Sequence, residues 1–421
     1  VNQSVHPKQF QSRPSVSKKA SVAVLDIGSS KIACLLADLP VDADGEHGRA
    51  VVTGFGHQIS EGIRGGQITD MVKAEESIRA AVDHAERMAE TEIRKVIVGV
   101  ASGRLVSNLA TAEIAIQNQV VTDDHLALGL QHAAYELDTP DHEIVHAIPI
   151  NYSVDDSHGI GDPRGMVGDV LQVNMLTVAT PLAALRNLRS CVERCHLECE
   201  KFVLAPYASA LASLSRDEMD LGVLHIDMGA TTTSFTLFYE GKPMFMGVVP
   251  AGGLNVTRDL ALGLNIPVAS AERIKNLFGS ALEGGSEDIE LPTGHGGAHI
   301  VQHHMLTRII RPRLEEILEL IMTKLDESGL TELAGRRVVL AGGAAQLSGA
   351  RELAQQILNR DVRVATPMRL NGLPEMAGSP AFSVGAGLIA YARQRDQFRL
   401  QAEASSYGRL ARLKSWLKRN F

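Results

Sequence analysis

The stretch VLHIDMGATTTSFTL, Val223 to Leu237, decides the fold. An apolar-rich run enters Asp227, a tight Met228-Gly229-Ala230 turn interrupts it, and three threonines lead into a second β-prone run. An acid leaving a strand beside small residues sits where bared backbone N–H groups can cradle phosphate, while the carboxylate holds a hydrated cation. A single turn of this kind is a weak signal. The chain carries it twice: VAVLDIGSSKIACLL, Val22 to Leu36, has the same order of strand, acid, small turn and strand. Asp26 and Asp227 lie 201 residues apart, as expected if each half supplies one hairpin to a shared cleft. The two turns then grip one ligand from opposite sides. Gly28, Ser29 and Ser30, with Gly229, Ala230, Thr231 and Thr232, offer N–H and hydroxyl donors to triphosphate oxygens, and the two carboxylates position Mg²⁺ through its waters. Lys31 either adds positive charge or faces solvent.

Composition bounds the rest. A chain of 421 residues is too long for one compact core and calls for at least two domains. Hydrophobic and charged contents of 45% and 21% are those of a soluble globular protein. The net charge of −8 argues against general nucleic-acid binding, which needs a basic face. Cys34, Cys191, Cys195 and Cys199 are too few and too clustered for a disulfide framework, so the thiols read as reduced and the protein as cytosolic. The Cys191, Cys195, Cys199 spacing invites a metal, but thiolate zinc needs a fourth ligand and the helix should end near His196. No apolar run approaches a bilayer span, and residues 1–20 read as a disordered, solvated tail.

In chain order, a first hairpin (Val22 to Leu39), an acidic turn (Asp42 to Gly48) and the run AVVTGFG build three strands. Thr69-Asp70 opens a helix with Ile78, Val82 and Ala85 on one face, reaching about Ala89, and KVIVGVASG follows as a strand. The order β-β-β-α-β is the ribonuclease-H-like unit of actin-type folds. Residues 104–178 form a separate module: a β-prone stretch (Ser107 to Gln117), a helix opened by Asp123 and Asp124, a strand (Glu143 to Ile150) and the loop GIGDPRGMVG. Periodicity alone favours reading that loop as a solvated connector over a partner surface. The chain returns through a helix (Leu182 to about Arg194), a strand (Lys201 to Leu204) and the small-residue helix PYASALASL, where Ala and Ser permit close packing. The second half repeats the plan: the Val223 hairpin, a strand (Pro243 to Val249), a helical insert (Leu254 to Leu333) and the strand VVLAGG. His295, His299, His303 and His304 in the insert read as an exposed polar face rather than a metal site.

Two further elements complete the candidate site. In LAGGAAQLSG a strand ends at Gly342-Gly343, with Ala344 and Gln346 beyond, and paired glycines let backbone approach a base or sugar closely. The fourth element is Gly252, Gly253 and Asn255, followed by Glu272 and Lys275 three apart on a helix; that pair bonds ribose and base or forms a surface ion pair. No G-x-x-x-x-G-K-[ST] occurs, so this is not a P-loop protein, and GAGLIA at Gly385 lacks the preceding strand of a dinucleotide site.

These segments, in this order, resemble the phosphate 1, connect 1, phosphate 2, adenosine and connect 2 motifs of the actin, hexokinase and DnaK-type chaperone superfamily. EGIRGGQITD, IVHAIPINYSVDD, PRGMVG, VVPAGGLNVTRDLA and SWLKRNF narrow the resemblance to the FtsA family of bacterial division proteins. The resemblance implies an α/β, actin-like two-domain fold made of duplicated ribonuclease-H-like units, with subdomain 1C replacing actin's 1B. It assigns 21–103 (with 179–221 and 379–394) to 1A, 104–178 to 1C, 222–253 (with 334–378) to 2A and 254–333 to 2B. It implies ATP with Mg²⁺, filament contacts through 1C, and docking of the tubulin-like protein FtsZ on 2B. It places the protein at the cytoplasmic face of the inner membrane at the division site, recruiting later divisome proteins. Hydrolytic relatives carry a water-orienting Glu or Gln in connect 1, where this chain has Ala205 and no acid or amide from Lys201 to Leu214. ATP binding with weak hydrolysis at most is therefore expected. The rival readings are a pilus-assembly or cell-shape actin and a sugar or acetate kinase.

The C-terminus carries a different chemistry. Residues 395–406 read as a polar flexible linker, and YGRLARLKSWLKRNF (407–421) as an amphipathic helix. Leu410, Leu413, Trp416, Leu417 and Phe421 share one face, bordered by Arg409, Arg412, Lys414, Lys418 and Arg419. Apolar residues flanked by snorkelling cations make an interfacial anchor for anionic lipid.

Overall fold

The computed structural model describes residues 19–40, 49–135, 139, 141–284, 288–292, 298–368 and 370–404. The first sheet is built by β1 (Lys19–Ile27), β2 (Lys31–Pro40) and β3 (Val51–Ile59) as an antiparallel meander. A small hairpin of β4 (Ile63–Arg64) and β5 (Gln67–Ile68) leads to α1 (Met71–Ala89). Asp70 caps α1 by accepting from the N–H groups of Val72 and Lys73, and Ala74, Ile78, Ala81, Val82 and Ala85 form its buried stripe. β6 (Lys95–Val100) then joins β1 in parallel.

The inserted module follows: β7 (Val106–Val120), α2 (Asp123–Tyr135), β8 (His142–Val154), β9 (Ser157–Ile160) and β10 (Val167–Pro181). Its sheet runs β7-β10-β8-β9, with α2 burying Leu126, Leu130 and Ala133 against it. β10 is the strand that the sequence pattern misses. Its first residues, Val167 and Gly168, fall inside the stretch read as a connector, yet β10 pairs antiparallel on both sides, with β7 and β8.

The chain returns through α3 (Leu182–Arg194), β11 (Glu198–Leu204), α4 (Ala205–Ser213) and α5 (Arg216–Leu221). His196, which follows α3, has φ +61°, the left-handed conformation that a glycine adopts at least cost. The second sheet comprises β12 (Val223–Met228), β13 (Thr233–Tyr239) and β14 (Lys242–Val249). α6 (Gly253–Leu264), α7 (Val268–Phe278), the hairpin of β15 (Asp288–Pro292) and β16 (Ala298–Gln302), and α8 (His303–Glu327) make up the insert. The insert is thus not wholly helical. Ala298–Gln302 pairs antiparallel with Asp288–Pro292, which places His299 on a strand and His303 and His304 at the start of α8. His295 lies outside the described residues. β17 (Arg337–Ala341), α9 (Ala350–Leu358), β18 (Asp361–Val364) and α10 (Ser383–Ala404) close the chain.

The two large sheets have one connectivity: β3-β2-β1-β6-β11 and β14-β13-β12-β17-β18. In each, the third strand in space is the acid-bearing one, flanked by an antiparallel and a parallel neighbour. α4 and α10 are the helices between the sheets. α10 packs on the first through Ala386, Leu388 and Ile389, and α4 contributes Ala208 there and Ala210 to the second. The two helices cross closely: a Cβ on Gly387 would stand 1.7 Å from the Ala208 carbonyl oxygen.

Two expectations at the ends change. β1 takes in Lys19 and Ala20, residues read as tail, because they pair with Pro40 and Leu39. α10 runs to Ala404, through most of the segment read as a flexible linker. RQRDQFRLQAEA is polar but free of Gly, Pro and β-branched residues, so a helix anchored in the core propagates through it. GAGLIA lies within this helix. Residues 1–18 and the amphipathic segment 407–421 lie outside the described residues.

Candidate functional site: a two-fold acid-turn cleft

Asp26 and Asp227 occupy the same place in their sheets. Each stands near the C-terminal end of its strand and opposite a small residue on the parallel neighbour, Gly99 for Asp26 and Ala341 for Asp227. The turns match as well. Gly28 N–H donates to the Lys31 carbonyl at 3.1 Å and Gly229 N–H to the Thr232 carbonyl at 3.0 Å. A Cβ on either glycine would sit 2.8 Å from the carbonyl that its own N–H reaches. Both glycine N–H groups are therefore spent in closing the turns, which corrects their assignment as phosphate donors. The N–H groups of Ser29, Ser30, Ala230, Thr231 and Thr232 take no part in closing the turns.

The hairpin tips meet. Thr231 Oγ1 donates to Ser29 Oγ at 2.8 Å, across 202 residues, and the Gly65 N–H reaches both oxygens at 3.1 Å. In the sequence Gly65 is one residue of EGIRGGQITD; its contact with both tips depends on the fold of the 61–69 loop, which sequence spacing does not show.

Electrostatics distinguish the two acids from ordinary surface carboxylates. Burial pushes the Asp26 carboxyl up to about 7, opposed by Lys31 and reinforced by Asp227. Burial likewise raises Asp227, against the pull of the Ser209 hydroxyl and of Lys31. Asp227 Oδ2 and Ser209 Oγ are both buried without a hydrogen bond of acceptable geometry, so the Ser209 influence is one of proximity. Lys31 does not face solvent. Its ammonium donates to the Ala381 carbonyl, lies 4.0 Å from the centroid of the Phe382 ring and is lowered by burial. An orphaned carboxylate oxygen beside a second buried acid fits a hydrated Mg²⁺, whose charge would favour the ionised form of both.

The remaining predicted residues brace this centre or border it. Gly253 N–H donates to the Gly229 carbonyl at 2.9 Å and Leu254 N–H to the Ala230 carbonyl at 2.7 Å, tying the start of α6 to the second turn. A Cβ on Gly252 would meet the Gly229 oxygen at 2.5 Å. Asn255 accepts from the Gly252 N–H and so caps α6. These three residues support the turn through bonds within the protein. Lys275 bonds Glu272 (2.7 Å), Thr257 Oγ1 (2.9 Å) and the Gly253 carbonyl (3.2 Å), and Thr257 donates to Glu272. The Glu272–Lys275 pair is thus a half-buried junction between α6 and α7 rather than an isolated surface ion pair. Burial opposes the Glu272 charge, but the bonds from Lys275 and Thr257 hold its carboxyl below the usual range. A Cβ on Gly253 would lie 3.1 Å from the Ala344 methyl, so the turn after β17 abuts this junction. Gly342, with φ +85°, passes so near that a Cβ would fall 2.5 Å from Asp227 Oδ1 and 2.4 Å from the Met228 carbonyl oxygen. Gly343 and Gln346 are exposed and Ala344 half-buried on the following turn.

Other clusters are not gathered into sites. Cys191 and Cys195 lie on the last turn of α3 and its cap, Cys199 on β11, and burial pushes their thiols up to about 11, 11 and 12. Among the described residues no group of three His, Cys, Asp or Glu side chains is placed to hold a metal, and no helix is long and apolar enough to cross a membrane.

Comparison with known proteins agrees with this architecture. The family model "Cell division protein FtsA" matches residues 224–387, and "SHS2 domain inserted in FTSA" matches 103–179, the module of β7 to β10. The chain is 40% identical to the cell division protein FtsA of Agrobacterium fabrum, covering 97% of both chains. It is 31% identical to that of Pseudomonas aeruginosa (97% of this chain, 100% of the relative) and 30% to that of Escherichia coli K12 (95% and 98%). Among solved structures, a PilM-PilN type IV pilus biogenesis complex matches with a TM-score of 0.62 at 17% identity, covering 88% of this chain and 98% of the other. MreB 5 of Spiroplasma citri bound to AMPPNP matches at 0.53 and 12%, covering 91% and 98%. At those identities the structures speak for the fold alone, a two-lobed actin-superfamily fold with an inserted 1C-like subdomain. The near full-length identities decide the rest: the chain belongs to the FtsA family of cell division proteins.

Proposed function

We propose that the protein binds ATP·Mg²⁺ between its halves, polymerises through subdomain 1C, and tethers FtsZ, docked on 2B, to the cytoplasmic membrane at the division site. The observation that carries the nucleotide reading is the doubled turn. Two hairpins closed by the same bond present Asp26 and Asp227 at one register and touch through Ser29 and Thr231. The AMPPNP held by the structurally similar Spiroplasma protein is consistent with it. The site holds nucleotide more than it hydrolyses it: connect 1 places Ser209, and no acid or amide, beside Asp227. A turnover of several per second, abolished by Asp227→Ala, would overturn that part. The same gap speaks against a sugar or acetate kinase, which needs a catalytic acid.

The membrane arm rests on the 407–421 pattern of one apolar face ringed by cations. Pelleting with anionic liposomes, with and without purified FtsZ, tests the assembly. The full chain should carry FtsZ into the pellet, and a chain lacking residues 407–421, or one with Trp416→Glu, should leave it in solution while still binding ATP. Continued pelleting of either variant would refute the anchor.

A further inference from the structure

Beside the two hairpin tips lies a cavity of about 380 Å³. Ser29 and Thr231 line it from the tips, Arg64 and Lys73 from the first half, and Leu254 and Arg258 from α6 in the second. Its cations are unequally satisfied. Lys73 has Glu61, the cavity's acid, at 3.7 Å. Arg258 is half-buried, and its neighbour Asp259 is taken by a bidentate pair with Arg313 at 2.6 and 3.2 Å. Among the described residues neither Arg64 nor Arg258 has an ion-pair or hydrogen-bond partner for its guanidinium. A planar guanidinium facing a polar cavity next to phosphate-binding turns is matched by a phosphate's paired oxygens.

Both arginines are fixed to those turns by short backbone links. Arg64 precedes Gly65, whose N–H holds Ser29 and Thr231. Arg258 is one helical turn beyond Leu254, whose N–H is bonded to the Ala230 carbonyl at 2.7 Å. We infer that Arg64 and Arg258, one from each half, clamp the terminal phosphate of the bound nucleoside triphosphate, so that preference for ATP over ADP is set at this cavity. The inference rests on the nucleotide reading above and adds the residues that discriminate. A diphosphate ends at the turns and leaves the arginines apart; a triphosphate bridges them and draws the halves together.

Titration calorimetry of the full chain with ATP, with ADP and with inorganic phosphate, each with Mg²⁺, tests this. Arg258→Ala and Arg64→Ala should each weaken ATP by about tenfold and ADP by less than about twofold, since a charge-assisted contact to one phosphate is lost. Arg258→Lys should recover part of the ATP loss, and Arg273→Ala, which removes the same charge from an exposed position on α7, should change neither ligand. An ATP-to-ADP affinity ratio unchanged in both alanine variants, or ADP weakened as much as ATP, overturns the clamp and leaves nucleotide binding standing. Inorganic phosphate binding that needs Arg258 while ATP binding does not would assign the cavity to free phosphate instead. A wild-type chain that binds neither nucleotide would overturn the nucleotide reading and the clamp together.

Discussion

Asp26 makes the sharpest quantitative prediction. Burial lifts its carboxyl from 3.8 to about 7. The folded, nucleotide-free protein therefore keeps a proton that the unfolded chain gives up near pH 4. The associated stability is complete below that pH and is lost as pH rises through about 7. Three pKa units at about 1.4 kcal/mol each amount to about 4 kcal/mol at pH 8. Asp26→Asn replaces the buried acid with a neutral group of the same shape. Urea midpoints should be equal for the two proteins at pH 4 and should favour the variant increasingly to pH 8. On the proposed nucleotide reading, Mg²⁺·ATP should reverse the preference, because it would draw on the carboxylate. About a tenth of Asp26 is ionised at pH 6 and nine-tenths at pH 8, so wild-type affinity for Mg²⁺·ATP should rise about tenfold over that range. The Asn variant loses the Asp26 share of that rise and keeps those of Asp227 and of the ligand's own phosphate. A stability difference that stays constant from pH 4 to pH 8 would refute the assignment of a buried, proton-holding acid at this position.

Further outcomes follow from the packing. Gly342→Ala forces a Cβ at φ +85° against the Met228 carbonyl and Asp227, and should cost about 2–3 kcal/mol in urea unfolding and weaken Mg²⁺·ATP more than ATP alone. Gly387→Val should cost more than about 3 kcal/mol, since no rotamer relieves a Cβ at 1.7 Å from the Ala208 oxygen; an unchanged melting curve would contradict the close crossing of α4 and α10. Burial alone would raise Glu218, but Arg363, at 2.6 and 2.7 Å, and Ser215 hold it down to about 2. Arg363→Ala should therefore cost about 2 kcal/mol at pH 7, discounted for the partly exposed arginine, and the difference should shrink as pH falls from about 4.5 towards 2. His225 and Thr236 form a cross-strand pair whose side-chain polar atoms are buried without partners. The corresponding pair in the first sheet is Val24 and Leu35. The double change His225→Val, Thr236→Leu should raise the unfolding free energy in urea titration by about 1–3 kcal/mol, and a fall would show that these groups are satisfied in solution.

Much of this molecule is legible in its sequence because the decisive signals are local. Each acid turn is a few residues closed by one short-range bond, and each copy declares itself by strand, acid and small residues in order. The helix from Asp70 is equally local, set by a cap and an apolar stripe, and the helix over Leu182–Arg194 is set by its apolar stripe alone. β10 and the β15–β16 hairpin were hidden because strand pairing is not local: β10 becomes the middle of a sheet only when β7 and β8 arrive on both sides. The helical continuation to Ala404 was hidden by polarity, which marks exposure rather than the absence of a helix.

By itself, the sequence determined that there are two phosphate-type turns, two acids and a basic amphipathic end, since those depend on residue type and short spacing. Only the tertiary structure decided what each group has left to offer. It tied the N–H groups of Gly253 and Leu254 to the carbonyls of Gly229 and Ala230, so that the start of α6 braces the second turn. It also carried Gly65 to both hairpin tips and brought Arg64 and Arg258 to one cavity. The physical reason is that a donor's availability depends on neighbours brought in from tens to hundreds of residues away, and the chain's local pattern carries no record of them.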